Sequence, residues 1–360
     1  MLNLDAPASF AALDPQGMLN CIAELPKQCE DAWAEIQNLE LPDEYRDIRR
    51  VVILGIGGSA IGADLVRALL VQECPVPIAV HRDYGLPAFV DRHTLAIACS
   101  YSGDTEETLL GFDSALRSGA RVLSITTGGE LARRTRQHGL PMYLYHYKAQ
   151  PRAALGYALI SLLGIIQRLG LVSDKSADVT EAVTVMRQWQ AEIKESVSSG
   201  ENAAKSLARK LYRRLPVVYG AEHLSEVARR WKGQCNENAK SWGVFDVLPE
   251  LTHNTVSGYP SPPGLRQWVH VIMLTSTLNH PRVRLRFEIT RELLQQHGFV
   301  YDIVEARGRS KLAQVLSAVH FGDYVSYYLA MLYEVDPWSI GSIESVKKRL
   351  GSNTETSEVS

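Results

Sequence analysis

The chain is poor in cysteine, and its cysteines stand apart from one another. Five occur in 360 residues, at Cys21, Cys29, Cys74, Cys99 and Cys235, with no Cys-x-x-Cys among them. This argues against a disulfide framework or a zinc site and for reduced thiols. An excess of one charge is also missing. With 38 Lys+Arg against 40 Asp+Glu the formal net charge is −2, so no global field draws in nucleic acid or an anionic membrane. An anionic substrate would have to be met by local donors. No apolar run is long enough to span a bilayer, and the opening MLNLDAPASF has no basic segment followed by an apolar one, so a cytoplasmic protein is expected. The histidines number 10, but none belongs to a His-Glu-x-x-His pattern, and neither a metal nor a cofactor is expected.

What is present is alternation. Asp14-Pro15 reads as an N-cap followed by a helical first proline, and Ile22, Leu25, Cys29, Trp33 and Ile36 then recur at helical spacing. Residues 1–45 are thus a helical arm. VVILG (51–55), PIAVH (77–81), TLAIACS (94–100), RVLSIT (121–126) and MYLYHY (142–147) are short, mostly continuous apolar runs, separated by helices that start near Ser59, Thr105 and Glu130. Continuous apolar strands between helices indicate a parallel sheet covered on both faces. After a polar helical connection over 174–200 the alternation resumes with PVVYG (216–220), GVFDV (243–247), WVHVIMLT (268–275) and FVYDIVEA (299–306). The expected fold is α/β, with two doubly wound parallel-sheet domains of flavodoxin-like kind over 46–173 and 201–350. C-terminal helices follow from Phe321 and Ile340, and the tail 351–360 is polar and expected to be disordered.

Two loops carry the chemistry. In GIGGSAIG (55–62), Gly57, Gly58 and Ser59 open a helix directly after a strand, where free N–H groups and the helix dipole favour an anion. The glycines do not follow the dinucleotide spacing, and the acidic residue a dinucleotide fold wants after the second strand is at best Asp83. In CSYSGDTEET (99–108), Ser100, Ser102 and Thr105 place three hydroxyls within six positions at the next helix start. A helix cap needs one hydroxyl. Hydroxyls with backbone N–H groups, and no Gly-Lys-Ser/Thr, suit a terminal monophosphate rather than a nucleotide.

Together these loops closely resemble the sugar-isomerase (SIS) domain. PRAALGY (151–157), WKGQCNENAK (231–240), LPELTHN (248–254) and IESVKKRL (343–350) look like the bifunctional phosphoglucose/phosphomannose isomerases, and the resemblance runs along nearly the whole chain in order. It implies a homodimer of two-SIS-domain chains with the active site between domains and across the dimer. It also implies a sugar phosphate held by Gly57, Gly58, Ser59, Ser100, Ser102 and Thr105.

The same resemblance assigns roles to four more residues. Aldose-ketose isomerisation needs one base that moves a proton between C2 and C1 on one face of a planar enediol, and Glu237 matches the family's catalytic glutamate. Glu250 is its rival within the chain. His253 matches the ring-opening histidine, contributed by the partner subunit; ring opening suits a group that titrates near neutrality. Arg152 would stabilise the enediolate, and Lys347, beside Lys348, would contact substrate near the ring-opening site. Two positions depart from the family. Thr255 stands where glutamate is usual, and Asp104 replaces an asparagine, which is unfavourable beside a phosphate unless the carboxylate points away. A non-catalytic sugar-phosphate sensor would keep the cradle and lose the base; the presence of Glu237, His253 and Arg152 together argues for the enzyme.

Overall fold

The computed structural model describes residues 2–352. Among the described residues nine strands form two sheets, all of whose pairings are parallel. The first contains β1 (Arg50–Leu54), β2 (Ile78–His81), β3 (Thr94–Ser100), β4 (Arg121–Thr126) and β5 (Met142–Leu144), in the order β2-β1-β3-β4-β5. The second contains β6 (Leu215–Ala221), β7 (Val244–Leu248), β8 (Val269–Thr275) and β9 (Val300–Glu305), in the order β7-β6-β8-β9. Register is regular, with Ile53 opposite both Val80 and Ile97. Central strands carry the continuous apolar runs because helices cover both faces: every residue of β3 is buried.

In each sheet the chain leaves the first strand on one side and returns on the other. The C-terminal ends of β1 and β3, and of β6 and β8, therefore flank switch points, where loops diverge and leave a crevice.

The element that joins the halves is the helix Lys311–Tyr333, buried along nearly its whole length. A helix buried on all sides belongs in a core. It packs on the helices Ser176–Ile193, Ala203–Leu211 and Ser225–Glu237. Its buried polar residues fall at every third position, Gln314, Ser317, His320, Asp323 and Ser326, and each makes a hydrogen bond to another segment: His223, Arg307, the Ile22 carbonyl, Arg230 and Asn238 respectively, with His320 Nδ1 left unpaired among the described residues.

Several local expectations shift. The arm is broken into helices Met18–Ala23 and Leu25–Ile36. Asp14 caps the first from outside it, its carboxylate accepting the N–H groups of Met18 (2.7 Å) and Leu19 (2.9 Å), while Gly17 holds the N-cap position. β5 stops at Leu144. The helix expected from Phe321 begins at Lys311, where the Ser310 side chain caps it by accepting the Ala313 N–H. Helix Ser176–Ile193 is more than a polar connection: it buries Val179, Val183, Met186 and Trp189. The last helix runs from Gly341 to Ser352, and the rest of the expected disordered tail lies outside the described residues. Among the described residues no helix is long and apolar enough to cross a membrane.

Candidate active site

The turn after β1 and the loop after β3 meet at the first switch point, and both helices that start there are open. Ile56 and Thr105 are the N-cap residues of helices Gly57–Leu70 and Glu106–Arg117, and neither makes a capping side-chain hydrogen bond. Thr105 uses its hydroxyl otherwise, at 2.8 Å from that of Ser100, which also accepts the Gly103 N–H at 3.1 Å. The Ser102 hydroxyl accepts the Asp104 N–H at 3.2 Å. Two helix N-termini without side-chain caps, beside Ser59, Ser100, Ser102 and Thr105, form a cradle whose donors favour an anion.

Asp104 does not oppose this. Its carboxylate accepts the Glu130 N–H at 2.9 Å, at the start of helix Gly129–Gln137, and so serves that helix as a cap. The close approach that permits this falls at Gly103, with φ +79°, where a Cβ would lie 1.9 Å from the Gly128 carbonyl oxygen.

The second half of the site is welded to the cradle through Gly58. A Cβ there would lie 2.8 Å from the Pro151 carbonyl carbon and oxygen and 3.0 Å from the Arg152 nitrogen. Only glycine lets this helix start rest on the turn that carries Arg152. The Arg152 side chain is almost fully buried (2% exposed). Its Nε donates to Asn238 Oδ1 at 2.8 Å, its Nη2 to the carbonyls of Pro337 (2.6 Å) and Trp338 (3.1 Å), and its Nη1 lies 3.4 Å from Glu237 Oε2. Burial lowers its pKa and the Glu237 carboxylate opposes that, leaving a cation fixed in orientation. Glu237 is the last residue of helix Ser225–Glu237, and its side chain is about one-third exposed.

Beneath this pair lies a support that sequence reasoning missed. Arg230 donates to the Arg152 carbonyl (2.8 Å) and to Asp323 (3.0 Å), and Gln234 donates to the other Asp323 oxygen (2.8 Å). Asn238 donates to Ser326 (3.0 Å). Lys240, with φ +53°, folds back so that its Nζ donates to the Glu237 carbonyl at 2.7 Å. Burial first, and then the Arg152 charge, bring its pKa down to about 8. Arg230, Gln234, Asn238 and Lys240 all fall in or beside the WKGQCNENAK stretch, so proximity to Glu237 was the available signal; Asp323 gave none.

His253 and Lys347 are not brought to this cluster by the single chain. Both are exposed, His253 in a short turn after β7 and Lys347 on the terminal helix. Glu250, the rival base, is exposed and accepts from Asn254 at 3.0 Å. Thr255, the departure beside His253, donates its hydroxyl to Asp246 on β7. Cavities of about 540 and 330 Å³ lie away from the cluster, the larger between Trp189, Arg307 and Phe321.

Two parallel α/β sheets, two helix starts without side-chain caps at the first switch point and a buried arginine beside a carboxylate define the class, a two-domain parallel α/β protein of the SIS kind. A model of the bacterial phospho-glucose isomerase C-terminal SIS domain matches residues 200–350. The fold is shared with the solved structure of a hypothetical protein from Thermus thermophilus, which has a TM-score of 0.76 and 17% identity over 98% of this chain and 94% of that one. The bifunctional phosphoglucose/phosphomannose isomerase of Caldicellulosiruptor bescii is 40% identical over 92% of this chain and 98% of its own, and that of Aquifex aeolicus 35% identical over 91% and 98%. The chain belongs to the bifunctional phosphoglucose/phosphomannose isomerase family.

Proposed function

We propose that the protein interconverts glucose 6-phosphate, and mannose 6-phosphate, with fructose 6-phosphate by ring opening and proton transfer through a cis-enediol. The observation that carries this reading is the Arg152–Glu237 pair at the mouth of the cradle. With the phosphate on Gly57, Gly58, Ser59, Ser100, Ser102 and Thr105, an open-chain hexose reaches toward Glu237. The Glu237 carboxylate takes the C2 proton and returns it to C1 on the same face. Negative charge then gathers on the C1 and C2 oxygens. The Arg152 guanidinium, already desolvated and held by Asn238 and two carbonyls, stabilises it without reorganising.

Ring opening requires a proton delivered to the ring oxygen and one removed from the anomeric hydroxyl. His253 of the partner subunit and Lys347 take these roles in a homodimer whose site is shared between chains. Their exposure in the single chain supports this, as does the apolar stripe of Ile343, Val346 and Leu350 that the terminal helix leaves open.

The test is fructose 6-phosphate formation from either aldose in the presence of EDTA, wild type beside Glu237→Gln. Turnover that survives chelation and falls by a factor of roughly a thousand or more in the variant supports a metal-independent isomerase with Glu237 as base. A folded wild type that binds both sugars without turnover overturns it.

A further inference from the structure

The two sheets repeat one strand order over four strands, so the switch point that forms the candidate active site has a counterpart between β6 and β8. The first site is completed by the C-terminal end of helix Ser225–Glu237. That helix packs against Gly57–Leu70, and Arg67, near the end of Gly57–Leu70, pairs at 2.7 Å with Glu226, at the start of Ser225–Glu237. The two helices are therefore antiparallel, and each lays its C-terminal end over the other domain's switch point. At the second switch point this leaves a cavity of about 330 Å³, bordered by Arg67, Val71, Glu222, His223, His280 and Lys311.

We infer that this cavity is a second binding site, for a small metabolite that carries a phosphate monoester and a hydroxyl. Its volume falls within the range of small-molecule sites, roughly 300–1,000 Å³. Lys311 donates only to the neutral Gln72 amide, at 2.8 Å, and makes no ion pair among the described residues. It is a cation on the cavity wall without a counter-ion. His280 accepts the Arg282 N–H on Nδ1 at 3.1 Å, which puts the hydrogen of the neutral ring on Nε2 as a free donor. His223 is 3% exposed and spends Nε2 on Gln314 Oε1 at 3.0 Å. Its Nδ1 makes no hydrogen bond within the described residues and is left as an acceptor for a ligand hydroxyl.

The carboxylate on the wall is engaged by the protein. Glu222 commits Oε2 to the Asn279 amide (2.7 Å) and the His280 N–H (3.0 Å) of the loop after β8, so an anion would sit toward Lys311. The site binds without reacting. The helix end that bears Glu237 and Asn238 at the first site bears Leu70 and Val71 here, so no base overhangs the ligand. Nor is there a glycine turn, because Glu222-His223-Leu224 follows β6 where Gly57-Gly58-Ser59 follows β1. Side chains, rather than backbone N–H groups, therefore select this ligand.

Equilibrium dialysis of the full chain with sorbitol 6-phosphate, which has no carbonyl to isomerise, counts the sites. The wild type is expected to bind two equivalents per chain. Lys311→Glu, and separately Val71→Trp at the cavity mouth, leave one, with unchanged circular dichroism. Ser100→Ala combined with Thr105→Val also leaves one, and adding Lys311→Glu to that pair abolishes binding. A single equivalent in the wild type overturns the inference, as do two equivalents that survive both Lys311→Glu and Val71→Trp. The count is readable whether or not the chain isomerises hexose phosphates.

Discussion

Arg152 Nη1 and Glu237 Oε2 stand 3.4 Å apart although 85 residues of chain separate them. The contact joins the two domains, and the groups that hold it are buried while the carboxylate keeps access to solvent. A fixed cation beside a reachable carboxylate is what the proposed enediolate intermediate demands, because the charge appears only after the proton has moved.

Replacing Arg152 by lysine keeps the charge and loses the fork that reaches Asn238 and two carbonyls at once. In Arg152→Lys, kcat for hexose phosphate isomerisation is expected to fall by a factor of about 10² to 10³, with a smaller change in KM. Steady-state kinetics check this; an unchanged kcat would remove Arg152 from the reaction.

Gly58→Ala tests the weld between cradle and arginine. The added methyl would sit 2.8 Å from the Pro151 carbonyl, which backbone cannot yield cheaply. Loss of stability of about 1–3 kcal/mol is expected, together with weaker sugar-phosphate binding. Denaturant unfolding and a binding isotherm on the same preparation measure both.

Asp323 answers Arg230 from inside the core, and both are almost fully buried. Burial raises the Asp323 pKa against the pull of Arg230. Asp323→Ala leaves Arg230 buried without its partner and is expected to cost about 3–5 kcal/mol in urea unfolding. Replacing both residues by apolar side chains should recover a large part of that.

His320 gives the fold a pH dependence. Burial pushes its pKa down to about 4, despite the hydrogen bond to the Ile22 carbonyl. Between that value and the unfolded value near 6.5 the unfolded chain binds more protons than the folded one. Stability is therefore full above about pH 6.5 and falls as pH drops toward 4, by up to about 1.4 kcal/mol per unit from this residue. In His320→Phe that part of the slope should disappear from unfolding curves taken across pH 4–6.5.

Much of the architecture was legible because its signals are local. Apolar runs such as TLAIACS and RVLSIT became β3 and β4 with the expected bounds, since a strand buried on both faces needs no partner pattern to be recognised. Helix starts after β1 and β3 were legible from glycine and hydroxyl residues. Helix Lys311–Tyr333 was half missed, because its polar residues at every third position break the apolar face on which periodicity depends. Asp104 was misleading in isolation: its carboxylate is spent on a helix start 26 residues further on.

By itself the sequence determined the strand-and-helix alternation, the two glycine- and hydroxyl-rich loops and the residue types available for proton transfer, all of which follow from spacing within a few turns of chain. Tertiary structure alone decided that Arg152 meets Glu237, that Asp323 and Asn238 hold that meeting in place, and that a cavity with Lys311 opens at the second switch point. Those contacts depend on how one wholly buried helix and two antiparallel ones bring distant segments together, and no local pattern encodes such a distance.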